Sequence, residues 1–196
     1  MNKSLNTTMN KNRISIQDMT LIALFTALIA VGAFIRIPTP FIPITFQVFF
    51  VLLAALLLGP KLGAYSGILY MVLGLVGVPI FAEGGGMGYI FRPTFGYIIG
   101  FCVGAYVAGK IAERYKNPNF KQWMMANLAG ILVIYVFGVV YFYIISNFVI
   151  NIPIGVGPLF LYCFVMVIPG DIITAVLASI IAKRLRPVVK RSLKHN

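Results

Sequence analysis

The sequence predicts an all-α integral membrane protein, a bundle of six transmembrane helices with both termini on the cytoplasmic side. Three observations predict it: an apolar composition, long stretches without charge, and an uneven distribution of basic residues. Of the 196 residues, 60% are hydrophobic and 10% are charged, whereas a soluble domain is typically about 25% charged. Such a chain has too little polar surface to fold as a water-soluble globule.

The uncharged stretches locate the helices. Residues 19–35, 37–60, 62–82 and 93–109 carry no charge, and 122–170 is uncharged for 49 residues. A spanning helix needs about 20 mostly apolar residues, and the sequence lacks the alternation of a barrel, so the spans must be helical. We predict helices at about 19–36, 45–58, 62–79, 94–113, 123–147 and 158–183. The predicted domain organisation is a single membrane domain, 1–196, with a core at 18–183, an N-terminal tail at 1–17 and a basic C-terminal tail at 184–196.

The basic residues set the orientation. Fourteen of the 16 fall in the two tails and in the regions that follow the second and fourth helices. Because cytoplasmic loops carry such an excess, both tails are predicted to lie in the cytoplasm. The net charge of +12 then follows from topology and from attraction to anionic membrane lipid. Nucleic-acid binding is disfavoured, because the charges are divided among loops and tails.

Enzymatic and metal-dependent functions find little support. Cys102 and Cys163 lie in predicted spans without the spacing of metal ligands, and they are interpreted as packing residues. The only histidine, His195, is in the basic tail. The glycine-rich run 84–88 lacks the Lys-Ser/Thr of a phosphate-binding loop, so the chain has no visible means of hydrolysing ATP. No nucleophile–base pair occurs in the spans, and no cofactor or metal is predicted.

Asp171 is the strongest single indication of function. It lies about halfway along the sixth predicted helix, where an ionised Asp costs roughly 2.5–3.5 kcal/mol on insertion scales. Pro169 and Gly170 precede it and predict a local break in that helix. Intramembrane acids mark substrate or ion pathways. The alternatives are a structural ion pair with Arg92 or a hydrogen bond to a tyrosine.

Two basic residues remain on the predicted outer side. Arg36 ends the first helix and can extend its charge to the membrane interface. Arg92 follows a glycine-rich segment, 84–88, whose glycines allow the backbone to approach a ligand closely. A flexible outer loop is the alternative interpretation of this segment.

Two helices carry small residues at a spacing that permits close helix contacts in lipid. They are Ala23, Ala27 and Ala30 on the first helix, and Gly96, Gly100 and Gly104 on the fourth. Packing within the bundle suffices to explain the fourth helix. For the first helix, the sequence alone does not separate internal packing from docking to a partner protein.

Six segments in order along the chain resemble the BioY family, the biotin-specific substrate-binding (S) components of energy-coupling-factor (ECF) vitamin transporters. They are 43–47 (PITFQ), 58–63 (LGPKLG), 74–82 (GLVGVPIFA), 84–88 (GGGMG), 92–101 (RPTFGYIIGF) and 168–171 (IPGD). The resemblance extends over about residues 15–185. It implies a six-helix S component in the bacterial cytoplasmic membrane that binds biotin with high affinity in a pocket near the outer face.

The resemblance also implies partners. S components dock on a membrane coupling subunit that binds two cytoplasmic ATPases, so ATP is hydrolysed by partner subunits. The Ala23 and Ala27 face of the first helix, with Ala30 one turn on, corresponds to the contact with the coupling subunit. A secondary carrier or channel for another small solute, with Asp171 as the coupling carboxylate, is the alternative function.

The resemblance further implies a set of pocket residues. Asp171 suits the ureido N–H donors of biotin as a charge-assisted acceptor. Arg92 suits either the carboxylate or the ureido oxygen of biotin. Thr174 stands where the family commonly has a basic residue. The candidate walls, each of which is also explained by ordinary packing, are Phe46, Gln47, Tyr89, Tyr97 and Tyr162. Glu83 is expected to face solvent.

Overall fold

A computed structural model describes residues 14–38 and 42–194, with side chains up to 189, and the predicted tails lie partly outside this range. The regular secondary structure of the described residues is helical apart from one short β-hairpin. Its α-helices are α1 (Ile16–Phe34), α2 (Gln47–Leu58), α3 (Pro60–Val76), α4 (Phe95–Glu113), α5 (Phe120–Ile144), α6 (Val156–Phe160) and α7 (Ile168–Lys194). The hairpin pairs β1 (Arg36–Ile37) with β2 (Ile44–Thr45), and a 3₁₀ turn spans Met87–Phe91.

Within the described residues, four helical segments are long and apolar enough to cross a membrane: Ile16–Phe34, Phe95–Glu113, Phe120–Val149 and Val156–Val189. They coincide with the first, fourth, fifth and sixth predicted helices. The other two predicted helices are also present, as the shorter apolar helices α2 and α3, which have 12 and 17 residues. The all-helical fold is therefore confirmed, and four of its helical segments have the length and composition to cross a membrane.

Helix α2 forms the centre of the bundle. It is apolar on all sides, as expected of a helix surrounded by protein, and of its residues only Phe50 is partly exposed. It packs against α1, α3, α4 and α7. The turn into α3 is tight, because Gly59 has a positive φ of 86° and Pro60 occupies the first helical position. Proline fits there since its missing N–H has no intrahelical acceptor to lose.

Small residues let α4 and α5 pack backbone against backbone. A Cβ added to Gly100 would lie 2.9 Å from the Cα of Ile134, and one added to Gly104 would lie 2.8 Å from the carbonyl oxygen of Gly130. The interpretation of the glycine face as internal packing is therefore confirmed. The alanine face of α1 differs, because Ala23 and Ala27 are exposed and Ala30 is half-buried.

The predicted break in the last span is present, but it precedes Pro169 and Gly170. Residues Leu161–Val165 form a π-helical turn, and regular helix resumes at Ile168. Pro169 and Gly170 instead lie in the first turn of α7, where a proline interrupts no intrahelical hydrogen bond. Asp171 is thus at the start of a regular helix, and its backbone N–H donates to the carbonyl of Val167 over 3.2 Å.

Replacing Gly100 with alanine is expected to destabilise the fold by about 1–3 kcal/mol, because the new methyl group would force apart two helix backbones. Thermal unfolding in detergent measures the effect. Gly157→Ala is the matched control, since a Cβ there meets nothing within 4 Å. Equal melting temperatures for the two variants would contradict the assigned packing.

Candidate functional site

Asp171 is buried, with 4% of its surface exposed, and it has a specific partner. The hydroxyl of Tyr135, on α5, donates to Oδ2 of Asp171 over 2.6 Å. This is one of the alternatives that the sequence left open, a hydrogen bond to a tyrosine. One turn on, the hydroxyl of the buried Thr174 donates to the backbone carbonyl of Asp171 over 2.9 Å. Thr174 therefore supports the backbone beside the carboxylate.

A cavity of about 270 Å³ lies between the β-hairpin and the start of α7. It brings together Phe46, Asp171 and Thr174 of the predicted set. Its lining comprises Ile35, Arg36, Ile37, Ile44, Thr45, Phe46, Gly170, Asp171, Ile173 and Thr174. A mostly apolar wall with a few converging polar groups is typical of small-molecule sites, and the volume is near the lower end of their range.

A second cavity of about 240 Å³ lies on the other side of Asp171, between α5 and α7. Its wall is apolar except at Tyr135 and Asp171; the remaining lining residues are Leu128, Ile131, Leu132, Phe164, Ile168 and Ile172. The Asp171 carboxylate thus borders two cavities, and Tyr135 binds it from the second one.

Arg36 is a functional candidate that the sequence analysis underrated. It lies on β1 and lines the 270 Å³ cavity together with Asp171, and the two are not ion-paired. Its guanidinium also donates to the backbone carbonyl of Ala82, so it joins the hairpin to the loop that follows α3. The available signal was a lone cation within 19–60, which is otherwise uncharged. Tyr135, one of 10 tyrosines, carried no such signal.

Arg92 lines neither of the two cavities that Asp171 borders. Its Nη1 lies 3.2 Å from Oε2 of Glu83, and the side chains are 53% and 37% exposed. The alternative that pairs Arg92 with Asp171 is therefore wrong for this conformation. Glu83 faces solvent as expected, but it also holds Arg92.

Tyr89 lies beneath the same loop and is buried. Its ring packs 4.5 Å from that of Phe81, and the guanidinium of Arg92 is 6.0 Å from its centroid. Burial raises the pKa of the Tyr89 hydroxyl above its ordinary value, so the group stays neutral. The loop is further tied to α5, because the hydroxyl of Tyr141 donates to the carbonyl of Ile90 over 2.6 Å.

Gln47 belongs to a chain of hydrogen bonds beside the cavity. Its Nε2 donates to the hydroxyl of Tyr70 over 2.7 Å, and its Oε1 accepts from the hydroxyl of Thr45 over 3.0 Å. The hydroxyl of Tyr70 in turn donates to the carbonyl of Ile80 over 2.9 Å. This chain connects the hairpin, α2, α3 and the following loop, so it positions the cavity wall that carries Thr45.

Tyr97 and Tyr162 are both associated with the π-helical turn. The hydroxyl of Tyr97 donates to the carbonyl of Cys163 over 2.9 Å and satisfies a backbone group within the irregular turn. Its ring fits against Gly138, where an added Cβ would lie 2.4 Å from the ring. Tyr162 is half-buried in the turn itself. Neither residue lines the two cavities described above.

The arrangement can hold a small ligand that carries both donor and acceptor groups. A buried carboxylate on α7 and a guanidinium on β1 border the same cavity, so they can accept from one part of a ligand and donate to another. Among the described residues, no cluster of three or more His, Cys, Asp or Glu side chains could hold a metal ion.

The sequence and fold of this chain are similar to those of known proteins. The model of the BioY family matches residues 5–191. A probable biotin transporter BioY of Lysinibacillus sphaericus is 42% identical over 173 residues, which are 88% of each chain. The biotin transporter BioY of Thermotoga maritima is 41% identical over 166 residues, 83% of this chain and 92% of its own. A crystal structure of the S-component for biotin from an ECF-type ABC transporter is similar with a TM-score of 0.75 and 29% identity, over 88% of this chain and 92% of that one.

Replacing Tyr135 with phenylalanine is expected to lower the free energy of unfolding by about 1.5–3 kcal/mol, because a buried acceptor loses its donor. Thermal unfolding of the ligand-free protein in detergent measures this. Tyr141→Phe is the control, since it removes an equally short hydrogen bond to a neutral carbonyl and should cost about 0.5–1.5 kcal/mol. If Tyr135→Phe lowers the free energy of unfolding no more than Tyr141→Phe does, the hydrogen bond to Asp171 is no stronger than one to a neutral carbonyl.

Proposed function

The chain belongs to the BioY family, and we propose that it is the high-affinity biotin-binding subunit of a biotin uptake transporter in the bacterial cytoplasmic membrane. The observation that carries this proposal beyond family membership is the shared cavity of Asp171 and Arg36. Relatives that are 41% and 42% identical are named as biotin transporters, which favours a transport function over an enzymatic one.

The chemistry of biotin matches this cavity. The ureido ring offers two N–H donors and a carbonyl, and the valerate tail ends in a carboxylate. A carboxylate has about four acceptor positions, so Asp171 can accept from the ureido N–H groups while it keeps the hydrogen bond from Tyr135. Arg36 is the first candidate for the ligand's carboxylate. The hydroxyls of Thr45 and Thr174 complete the polar lining.

We assign Arg92, Tyr89 and the loop around them to closure of the site. The loop already contacts the cavity wall through the bond from Arg36 to the carbonyl of Ala82. If Arg92 released Glu83 and bound the ligand instead, a second guanidinium would contact the ligand. Closure would exclude water and strengthen the polar contacts. In this proposal Phe46 forms part of the cavity wall. Gln47, Tyr97 and Tyr162 do not contact the ligand and instead hold the surrounding structure in place.

We further propose six crossings with both termini in the cytoplasm. The positions of 14 of the 16 basic residues support the orientation. A 12-residue α2 rises only about 18 Å, less than the roughly 30 Å of a bilayer core. All residues of α2 except Phe50 are buried, which supports a crossing in which α2 and the hairpin together cover the membrane depth.

The proposed partners are an ECF coupling subunit and two cytoplasmic ATPases. The exposed side chains of Ala23 and Ala27 support a docking role for that face of α1, with Ala30 at its edge. Small side chains without an internal partner leave a surface that another helix can approach closely. Energy from ATP would reach this chain only through such a contact.

The purified full-length chain is expected to bind biotin saturably and one to one, and to bind neither riboflavin nor thiamine. Protein from biotin-starved cells and isothermal titration calorimetry are the material and the measurement. A monodisperse sample that fails to bind biotin would mean that the cavity takes another ligand.

Variants then test the assigned contacts with biotin and with biotinamide, which lacks the carboxylate. Asp171→Asn is expected to weaken both ligands about tenfold or more, because charged acceptors form the stronger hydrogen bonds. Arg36→Gln should weaken biotin and leave biotinamide nearly unchanged. Arg92→Gln is the comparison, and a selective loss of biotin there instead would transfer the carboxylate contact to Arg92.

Replacing Ala27 with tryptophan is expected to leave biotin binding intact and to reduce uptake at least about tenfold, a loss that needs only 1.4 kcal/mol of docking energy. Uptake of labelled biotin is measured in cells that carry the coupling subunit and the ATPases. Val136→Trp is the control, since Val136 is 54% exposed on α5 and lines neither cavity that Asp171 borders. Uptake that persists without the ATPases and requires a proton gradient would favour a secondary carrier.

A further inference from the structure

A third cavity lies far from Asp171, where the α4–α5 connection meets the end of α7. Its volume is about 250 Å³, and its lining comprises Lys116, Asn117, Pro118, Trp123, Lys183, Arg186 and Pro187. Along α7, Arg186 is about 22 Å from Asp171 at 1.5 Å per residue. Three of the lining residues are basic and none is acidic, so the cavity is strongly positive.

Arg186 is buried in this wall without a full set of partners. Only 6% of its surface is exposed, and its guanidinium lies 4.7 Å from the ring centroid of Trp123. Nη2 donates to the carbonyl of Ala112 over 3.3 Å. Nε and Nη1 are buried and find no acceptor within the described residues. A buried charge without partners is costly. The site would therefore be stabilised by an acceptor that the described residues do not supply.

Trp123 presents a third unpaired donor in the same place. Its side chain is 2% exposed, and Nε1 has no acceptor in the part of the chain that the structure describes. Trp123 lies in the first turn of α5, whose end carries partial positive charge. The backbone there is already capped, since Asn119 and Gln122 satisfy each other's N–H groups. The unpaired donors are therefore those of the side chains.

No acidic side chain of the described residues neutralises the site. The charge of Glu113, at the end of α4, acts on Arg186, but Glu113 is exposed and forms no ion pair with it. Its Oε1 lies against Gly59, 2.5 Å from where a Cβ would stand. The missing acceptor therefore has to come from outside the described residues.

We propose that this cavity binds a phosphate group, either the headgroup phosphate of an anionic phospholipid or free inorganic phosphate. The planar donor array of arginine suits phosphate oxygens, and lysines attract them as point charges. Trp123 supplies a further N–H donor. Arg186 follows the uncharged stretch 172–182 of α7 and belongs with Lys183 and Arg184 to the basic end of the last span, where long cationic side chains reach the lipid headgroups. This inference is independent of the biotin site.

The protein contains a single tryptophan, so Trp123 fluorescence reports directly on the cavity. The full-length chain in a neutral detergent is titrated with dihexanoyl-phosphatidylglycerol, with dihexanoyl-phosphatidylcholine as the zwitterionic comparison, and separately with inorganic phosphate. A saturable change with phosphatidylglycerol but not with phosphate identifies a lipid headgroup. A saturable change with phosphate that competes with phosphatidylglycerol identifies free phosphate as a ligand.

Arg186→Gln is expected to raise the dissociation constant at least about tenfold, because it removes a charged donor from a buried site. Arg184→Gln removes the same charge from an exposed position of α7 that does not line the cavity. It should change the constant less than about twofold. Equal weakening by both variants would overturn the proposal, since attraction to net charge would then explain the binding.

A second pair of variants covers the case in which Arg186→Gln does not fold. Lys116→Gln with Lys183→Gln removes two exposed charges from the cavity rim, and Lys110→Gln with Arg184→Gln removes two exposed charges elsewhere. Only the first pair should weaken binding. If no phosphate probe changes the fluorescence, and only an added coupling subunit does, the site is a protein contact and the proposal is wrong.

Discussion

Polar groups within the hydrocarbon layer must find their hydrogen-bond partners inside the protein, because lipid offers none. This constraint accounts for several hydrogen bonds that join one helix of the bundle to another. The hydroxyl of Thr26 on α1 donates to the carbonyl of Ser66 on α3 over 3.1 Å. The amide of Asn127 on α5 donates to Ala175 on α7, and Tyr97 on α4 satisfies the irregular turn before it. Each bond joins two helices, so satisfying the polar groups also fixes the helix packing.

The same constraint identifies buried polar groups whose hydrogen-bonding capacity the described residues do not fill. Asp171 has one donor, Tyr135, and an ionised carboxylate can accept more than one hydrogen bond. Arg186 has two buried nitrogens without acceptors. These residues lie near the two ends of α7, and each borders a cavity. In our proposals these two cavities take different ligand groups, the N–H donors of biotin at one end of α7 and a phosphate at the other.

Small residues occur at the same spacing on two helices of this fold, and burial distinguishes the two faces. Gly100 and Gly104 are buried between α4 and α5, and the close approach of those helices leaves no room for a side chain. Ala23 and Ala27 have the same spacing but are exposed on α1. A face of small side chains on the outside of a helix allows another helix to approach it closely in the membrane. The spacing is identical, and only the presence or absence of a packed neighbouring helix distinguishes the two faces.

The sequence by itself determined where the apolar helices lie and that Asp171 is an isolated charge within one of them, because apolar runs and an isolated charge are local properties of the chain. Boundaries such as the start of α3 at Pro60 follow from local backbone preferences. Only the tertiary structure decided which polar groups meet. Tyr135, the donor to Asp171, is 36 residues away from it along the chain. Arg36, near the other end of the chain, lines the 270 Å³ cavity together with Asp171. Such encounters depend on how helices pack, and no pattern within a single segment contains that information.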